Sequence, residues 1–94
     1  MYATVRAYQG NADLADALVE NQSEVRRIIG EIDGFRAYYL IKLAEGTATV
    51  SVFDSQAAAE ESTRVAAAWL AENLPDLGAT PYVTAGEVVL DFQG

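Results

Sequence analysis

Along this chain, small apolar residues alternate with polar and aromatic ones in some stretches and recur at helical spacing in others. In Tyr2–Tyr8, Ala3, Val5 and Ala7 point one way, while Tyr2, Thr4, Arg6 and Tyr8 point the other. In Thr47–Asp54, Ala48, Val50 and Val52 alternate with Thr49, Ser51 and Phe53. A period of two places alternate residues on opposite faces of a strand. The pattern predicts strands over Tyr2–Gln9, Phe35–Leu43, Thr47–Asp54 and Tyr82–Phe92. Gly86 in the last strand reads as a bulge or a close approach.

Between them, Leu14, Leu18, Val25, Ile28, Ile29 and Ile32 recur at three, four and seven, which predicts a helix over Ala12–Ile32. Asn11 or Asp13 is placed to cap it, and Gly34 to end it. The polar run Glu20-Asn21-Gln22-Ser23-Glu24 interrupts the stripe. Either the helix breaks there, or an amide such as Asn21 faces a cavity or a partner. A second helix is predicted over Gln56–Leu74, capped by Asp54 or Ser55, stopped by Pro75, and striped by Ala58, Ser62, Val65, Ala66, Trp69 and Leu70. Ala44-Glu45-Gly46 reads as a three-residue hairpin turn that sets Ile41 opposite Thr49 and Tyr39 opposite Ser51. Asp76–Pro81 reads as a loop.

The order β-α-β-β-α-β is a split βαβ pattern: α+β, ferredoxin-like, with a four-stranded antiparallel sheet and two helices on one face. Residues 1–94 form one domain. The small aliphatic face is expected to pack against the helices. The face carrying Tyr2, Arg6, Tyr8, Phe53, Tyr39 and Ile41 is then left bare. An uncovered apolar patch of that size on a monomer is unusual, so a homodimer is expected, closing the two sheets over a semi-polar chamber.

Composition narrows the chemistry. The chain has 94 residues and a net charge of -8, from 14 acids against 6 bases. A phosphate backbone would be repelled, so nucleic acid is not an expected partner, and neither is an anionic membrane. Cysteine and histidine are both absent. Thiolate nucleophiles, imidazole bases and the usual zinc and haem ligation are thereby excluded, and neither a metal nor a cofactor is expected. The N-terminal residues have no basic start followed by an apolar run, and no stretch of roughly 18 apolar residues occurs. The expectation is a cytoplasmic protein.

Several segments carry a resemblance: Ala3-Thr4-Val5-Arg6 in strand one, Ile32-Asp33-Gly34-Phe35 entering strand two, and Ser51-Val52-Phe53-Asp54-Ser55 leading into a helix bearing Ala68-Trp69-Leu70. Thr84-Ala85-Gly86-Glu87-Val88 lies in the closing strand. Over nearly its whole length the chain resembles the antibiotic-biosynthesis-monooxygenase-like group of the dimeric α/β-barrel superfamily. The resemblance implies two ferredoxin-like subunits joined sheet to sheet. It also implies cofactor-independent oxidation of polycyclic phenols to quinones, or haem degradation, as activities found among such proteins. The haem degraders use an asparagine in strand one, a tryptophan in helix two and a histidine after it. Here only Trp69 matches; Val5 and Ala7 lie near the asparagine position, and the histidine is missing.

The candidate site follows from the mixed face. Arg6 can hold a carboxylate or phenolate, or else form an ion pair with Glu87 or Asp91. Tyr8 and Tyr39 can position a phenolic ligand, or fill an interface as amphipathic side chains. Thr4, Asn21, Ser51 and Phe53 are the expected ligand-binding lining. Trp69 is either core or a wall for a flat ligand. The functional expectation is a protein that binds a small aromatic or apolar ligand and oxidises phenols without a cofactor. The alternative is a non-catalytic module whose barrel is filled by its own side chains.

Overall fold

The computed structural model describes residues 1–77 and 80–94. Its elements are β1 (Tyr2–Gln9), α1 (Asp13–Glu20), α2 (Gln22–Gly30), β2 (Phe35–Leu43), β3 (Gly46–Phe53), α3 (Gln56–Asn73) and β4 (Tyr82–Glu87). A 3-10 turn over Pro75–Leu77 follows α3. The strands form one antiparallel sheet in the order β2-β3-β1-β4, which is the ferredoxin-like arrangement. Among the described residues, no helix is long and apolar enough to cross a membrane. The loop expected over Asp76–Pro81 lies in part outside the described residues.

The single long helix expected over Ala12–Ile32 is two helices broken at Asn21. The Asn21 amide nitrogen donates to the Ala17 carbonyl at 2.8 Å, so the side chain satisfies the end of α1. Ala12 occupies the N-cap of α1 without a side-chain hydrogen bond. Asn11 instead donates to the Leu77 carbonyl at 2.6 Å, tying the start of α1 to the turn after α3. Ser55 does cap α3, accepting from the Ala58 amide at 3.2 Å. Strand β4 stops at Glu87, five residues short of Phe92. Beyond it the Val88 amide reaches the Met1 carbonyl at 2.9 Å, while Val89, Leu90 and Phe92 are exposed. At Gly86 a Cβ would meet nothing within 4 Å, so no close approach explains that glycine.

The hairpin turn has two residues, Ala44 and Glu45, because Leu43 pairs with Gly46. Ile41 therefore lies opposite Ala48 and Tyr39 opposite Val50, one residue away from the expected register. Gly46 does not adopt a positive φ; Gly10 and Gly34 do, at 73° and 89°. Gly46 is needed for space, since a Cβ there would lie 2.7 Å from the Tyr8 carbonyl oxygen.

The sheet is turned over relative to the expectation. Thr4, Arg6 and Tyr8 of β1 and Thr47, Thr49, Ser51 and Phe53 of β3 are buried under the helices. Val5, Tyr39, Ile41 and Tyr82 lie on the outer face and are exposed; Ala3, Ala7, Ala48, Val50 and Val52 share that face. Apolar area explains the choice. The outer face of β1 and β3 is mostly alanine and valine. The inner face offers Phe53, Tyr8, Phe35, Tyr38 and Leu40, and each aromatic ring can bury on the order of 150–250 Å². These pack with Leu14, Leu18, Val25, Ile29, Ala59 and Trp69. Phe35 and Phe53 meet edge to face with ring centroids 5.9 Å apart. The hydroxyls on the same face are carried inside with the aromatics, and they have to find partners there.

Candidate anion-binding cavity

Arg6 enters the interior from the middle of β1 and is 2% exposed. Its Nη1 donates to Ser51 Oγ at 3.2 Å and to Thr49 Oγ1 at 3.5 Å, both on β3. Its Nη2 donates to Ser62 Oγ at 2.6 Å and Thr63 Oγ1 at 3.1 Å, both on α3. Four hydroxyls thus surround the guanidinium. Among the described residues no carboxylate lies within ion-pair distance of it. The alternative of a pair with Glu87 or Asp91 does not form. Among the described residues, the Arg6 Nε and the Thr4 hydroxyl are both buried without a partner.

A buried cation normally stands beside an anion, because hydroxyl dipoles replace only part of the lost hydration. Burial lowers the affinity of Arg6 for its proton, and the neighbouring Tyr8 and Tyr38 oppose that shift. Burial likewise pushes the Tyr8 phenol up, against the pull of Arg6. Tyr38 is pushed up to about 12 by burial, with Arg6 drawing it down and Tyr8 adding to the rise. Both phenols therefore stay protonated near neutrality and cannot balance the charge.

Beside this cluster lies a cavity of about 410 Å³. Arg6, Tyr8 and Thr63 supply its polar wall. Leu14, Ala67, Leu70, Ala71, Leu74 and Leu77 supply an apolar one, and Thr80 and Pro81 border it. The helical alanines leave the room: larger side chains at 67 and 71 would fill it. A much narrower gap of about 20 Å³ on the other side of Arg6 is walled by Tyr38, Thr49 and Trp69. Trp69 is buried, and its indole Nε1 donates to Glu24 Oε1 at 3.4 Å.

Of the expected site residues, Arg6, Tyr8 and Ser51 come together, with Thr4 next to them on the same face. Trp69 borders the narrow gap. Phe53 is core, 0% exposed, and lines neither space. Tyr39 stands on the opposite face at 58% exposure, so Tyr38 rather than Tyr39 is the β2 tyrosine that faces Arg6. Asn21 serves the break between α1 and α2. The expectation missed Ser62 and Thr63. Ser62 carried a signal, since a serine in the apolar stripe of α3 needs a polar partner inside.

No protein-family model and no curated protein matches the sequence. Solved structures do match in shape. The heme-degrader MhuD from Mycobacterium tuberculosis, solved with two hemes bound in its active site, superposes with a TM-score of 0.69 at 21% identity, over 99% of this chain and 100% of that one. A candidate antibiotic biosynthesis monooxygenase from Nitrosomonas europaea gives 0.71 at 11% identity, over 96% and 100%. A dimeric ferredoxin-like protein from an uncultured marine organism gives 0.67 at 12%, over 99% and 98%. The chain has the fold of these proteins. At such identities the likeness is one of architecture, and it agrees with the resemblance read from the sequence.

Proposed function

We propose that this protein binds a small aromatic or apolar anion in the cavity beside Arg6, and that it works as a homodimer. The observation that carries the reading is the buried guanidinium without a counter-charge at the wall of an apolar cavity. Two unit charges about 4 Å apart attract by about 4 kcal/mol at an effective dielectric constant of 20. That gain is open to a ligand because no protein carboxylate has taken it. The remaining wall suits a flat or branched hydrocarbon body.

Oxidation of a phenolic ligand is the proposed reaction. An anion stabilised beside Arg6 is electron-rich enough to reduce dioxygen directly. One oxygen atom enters the ligand as a carbonyl at a former CH₂, and the other leaves as water with the two hydrogens. The likeness in fold to a candidate antibiotic biosynthesis monooxygenase supports this reading.

Haem fits the cavity poorly. Its iron needs an axial histidine, cysteine, methionine or tyrosinate. Among the described residues the wall offers only Tyr8, whose phenol is held in its protonated form.

The homodimer rests on the outer sheet face, where Val5, Tyr39, Ile41 and Tyr82 are exposed on the single chain. Alanine, valine, isoleucine and two tyrosines make that face apolar rather than polar, which favours two sheets packed directly over a chamber between them. The ligand space then lies between sheet and helices within each subunit.

The test uses Trp69 fluorescence with matched pairs of aromatic acids or phenols and their neutral ethers or amides. Anions should quench and neutral partners should bind tenfold or more weakly. Equal binding of both members would remove the reading. For the reaction, purified protein with anthrones should consume one dioxygen per quinone formed and leave no hydrogen peroxide in solution.

A further inference from the structure

We infer that the cavity receives a single anionic oxygen on the hydroxyls of Thr63 and Tyr8, and that Arg6 acts from behind as a positioning residue. This rests on the proposed binding of an anion in that cavity. It adds which atoms touch the anion and therefore which class of anion fits.

The argument begins with the guanidinium's donors. An arginine has five N–H groups. The four terminal ones are directed to Thr49, Ser51, Ser62 and Thr63. The fifth, on Nε, is buried without a partner among the described residues, and one N–H alone cannot make a two-pronged pairing. A carboxylate that docked by the usual two-pronged pairing would have to strip hydroxyls from the guanidinium first. The Arg6 fork is therefore closed to ligands, although its charge remains.

The hydroxyls decide where that charge is felt. Ser62 accepts from Arg6 and donates its own proton to the Ala59 carbonyl at 2.6 Å, so its capacity is used within the protein. Thr63 accepts from Arg6 at 3.1 Å, is only partly buried and lines the cavity. Among the described residues it has no acceptor for its proton. A hydroxyl that accepts from a cation becomes a stronger donor in turn. Tyr8, two residues from Arg6 on the same face, lines the same cavity, and its hydroxyl also lacks a partner among the described residues. Burial keeps it protonated and able to donate.

Two O–H donors on one wall with a positive charge behind them suit a one-oxygen anion, a phenolate or an enolate. They suit a two-oxygen carboxylate less well. Arg6 and Tyr8 are the titratable groups on the cavity wall among the described residues, and Tyr38 faces Arg6 from β2.

The experiment uses 4-nitrophenol, whose phenolate absorbs in the visible, with 4-nitroanisole and benzoate as companions. Bound 4-nitrophenol should remain ionised to a pH at least one unit below that of the free compound, a tenfold preference for the anion. Thr63→Val should cut anion affinity about tenfold and return the titration towards that of the free phenol. Thr63→Ser should restore both. Tyr8→Phe should act in the same direction as Thr63→Val and serves if that variant folds poorly. Binding of 4-nitroanisole should be unchanged by Thr63→Val, and benzoate should bind more weakly than 4-nitrophenolate. An unshifted titration, a shift that survives both substitutions, or tighter binding of benzoate would overturn the inference and leave the cavity's ligand role standing. Failure of every probe to bind would remove that role and this inference with it.

Discussion

Arg6 donates from Nη2 to Ser62 Oγ at 2.6 Å, and that hydroxyl in turn donates a hydrogen bond to the Ala59 carbonyl at 2.6 Å. Strand β1 is thereby tied to the backbone of α3 through a side chain that is 0% exposed. The bond is charge-assisted, and such bonds are roughly twice as strong as neutral ones. Removing the acceptor from a buried donor costs about 1–3 kcal/mol. Ser62→Ala should therefore destabilise the protein by about that amount in urea unfolding. In an Arg6→Met background the same substitution should cost much less, because the donor is gone. A double-mutant cycle measures the difference, and two purely additive effects would show that the contact is idle.

Arg6 itself should behave otherwise. A cation buried without a carboxylate offsets its desolvation with hydroxyls alone, and even a complete buried ion pair can often be replaced by apolar groups of similar volume with no loss of stability. Arg6→Met should leave the midpoint of unfolding unchanged or raised, while anion binding in the cavity is lost. That pairing of outcomes marks a residue kept for function. A loss of stability above about 3 kcal/mol would instead make Arg6 a structural element.

The order of elements and, through it, the ferredoxin-like architecture were legible in the alternating and helical periods. Which way the sheet faces was not. A period of two defines two faces and leaves open which is buried. The expectation weighed polarity and set Arg6, Thr49 and Ser51 outward. The folded chain weighed apolar area and set Phe53, Tyr8 and Phe35 inward, with the hydroxyls answering Arg6. Tyr38 and Tyr39 were exchanged by a turn one residue shorter than expected, since one step in register moves every side chain to the other face. Arg6, Tyr8 and Ser51 could be grouped because neighbouring strands place them on one surface. Thr63 comes from a helix 57 positions further along, and nothing in local spacing joins it to Arg6.

The buried phenols give stability a definite dependence on alkaline pH. Tyr38 has its folded value raised to about 12 from a reference of 10.0, and Tyr8 moves in the same direction. For an acid whose neutral form is favoured by folding, the unfolded chain releases its proton first. The contribution is complete below pH 10.0 and is lost as pH rises towards about 12. Unfolding midpoints measured across that window should fall. Arg6 lowers both phenols, so Arg6→Met should move their ionisation, followed by ultraviolet absorbance, to still higher pH.

Gly46 tests the close approach of β3 to β1. A methyl group there would lie 2.7 Å from the Tyr8 carbonyl oxygen, and that obstacle is backbone rather than a side chain free to turn. Gly46→Ala should destabilise the protein by about 1–3 kcal/mol, the range for overpacked sites. Gly86, with nothing within 4 Å of a Cβ, should accept alanine with little change. Comparable losses at both positions in thermal unfolding would mean that the clash at Gly46 is relieved by a small shift of β1.

The bare sheet face makes the last prediction, and it separates the two aromatic positions that the expected register had grouped. Tyr39 is 58% exposed on the outer face beside Val50, whereas Phe53 is 0% exposed beneath the helices. If two sheets pack face to face, a charge at Tyr39 meets an apolar neighbour subunit, while a charge at Phe53 is buried within its own. Sedimentation of the wild type should give twice the 10.1 kDa chain mass. Tyr39→Glu should sediment as a single chain with its circular dichroism intact. Phe53→Glu should lose its fold, because an unpaired carboxylate in that core costs several kcal/mol. A wild type that stays at one chain mass at micromolar concentration would sink the dimer. The intra-subunit cavity beside Arg6 would remain, since all of its described wall comes from one chain.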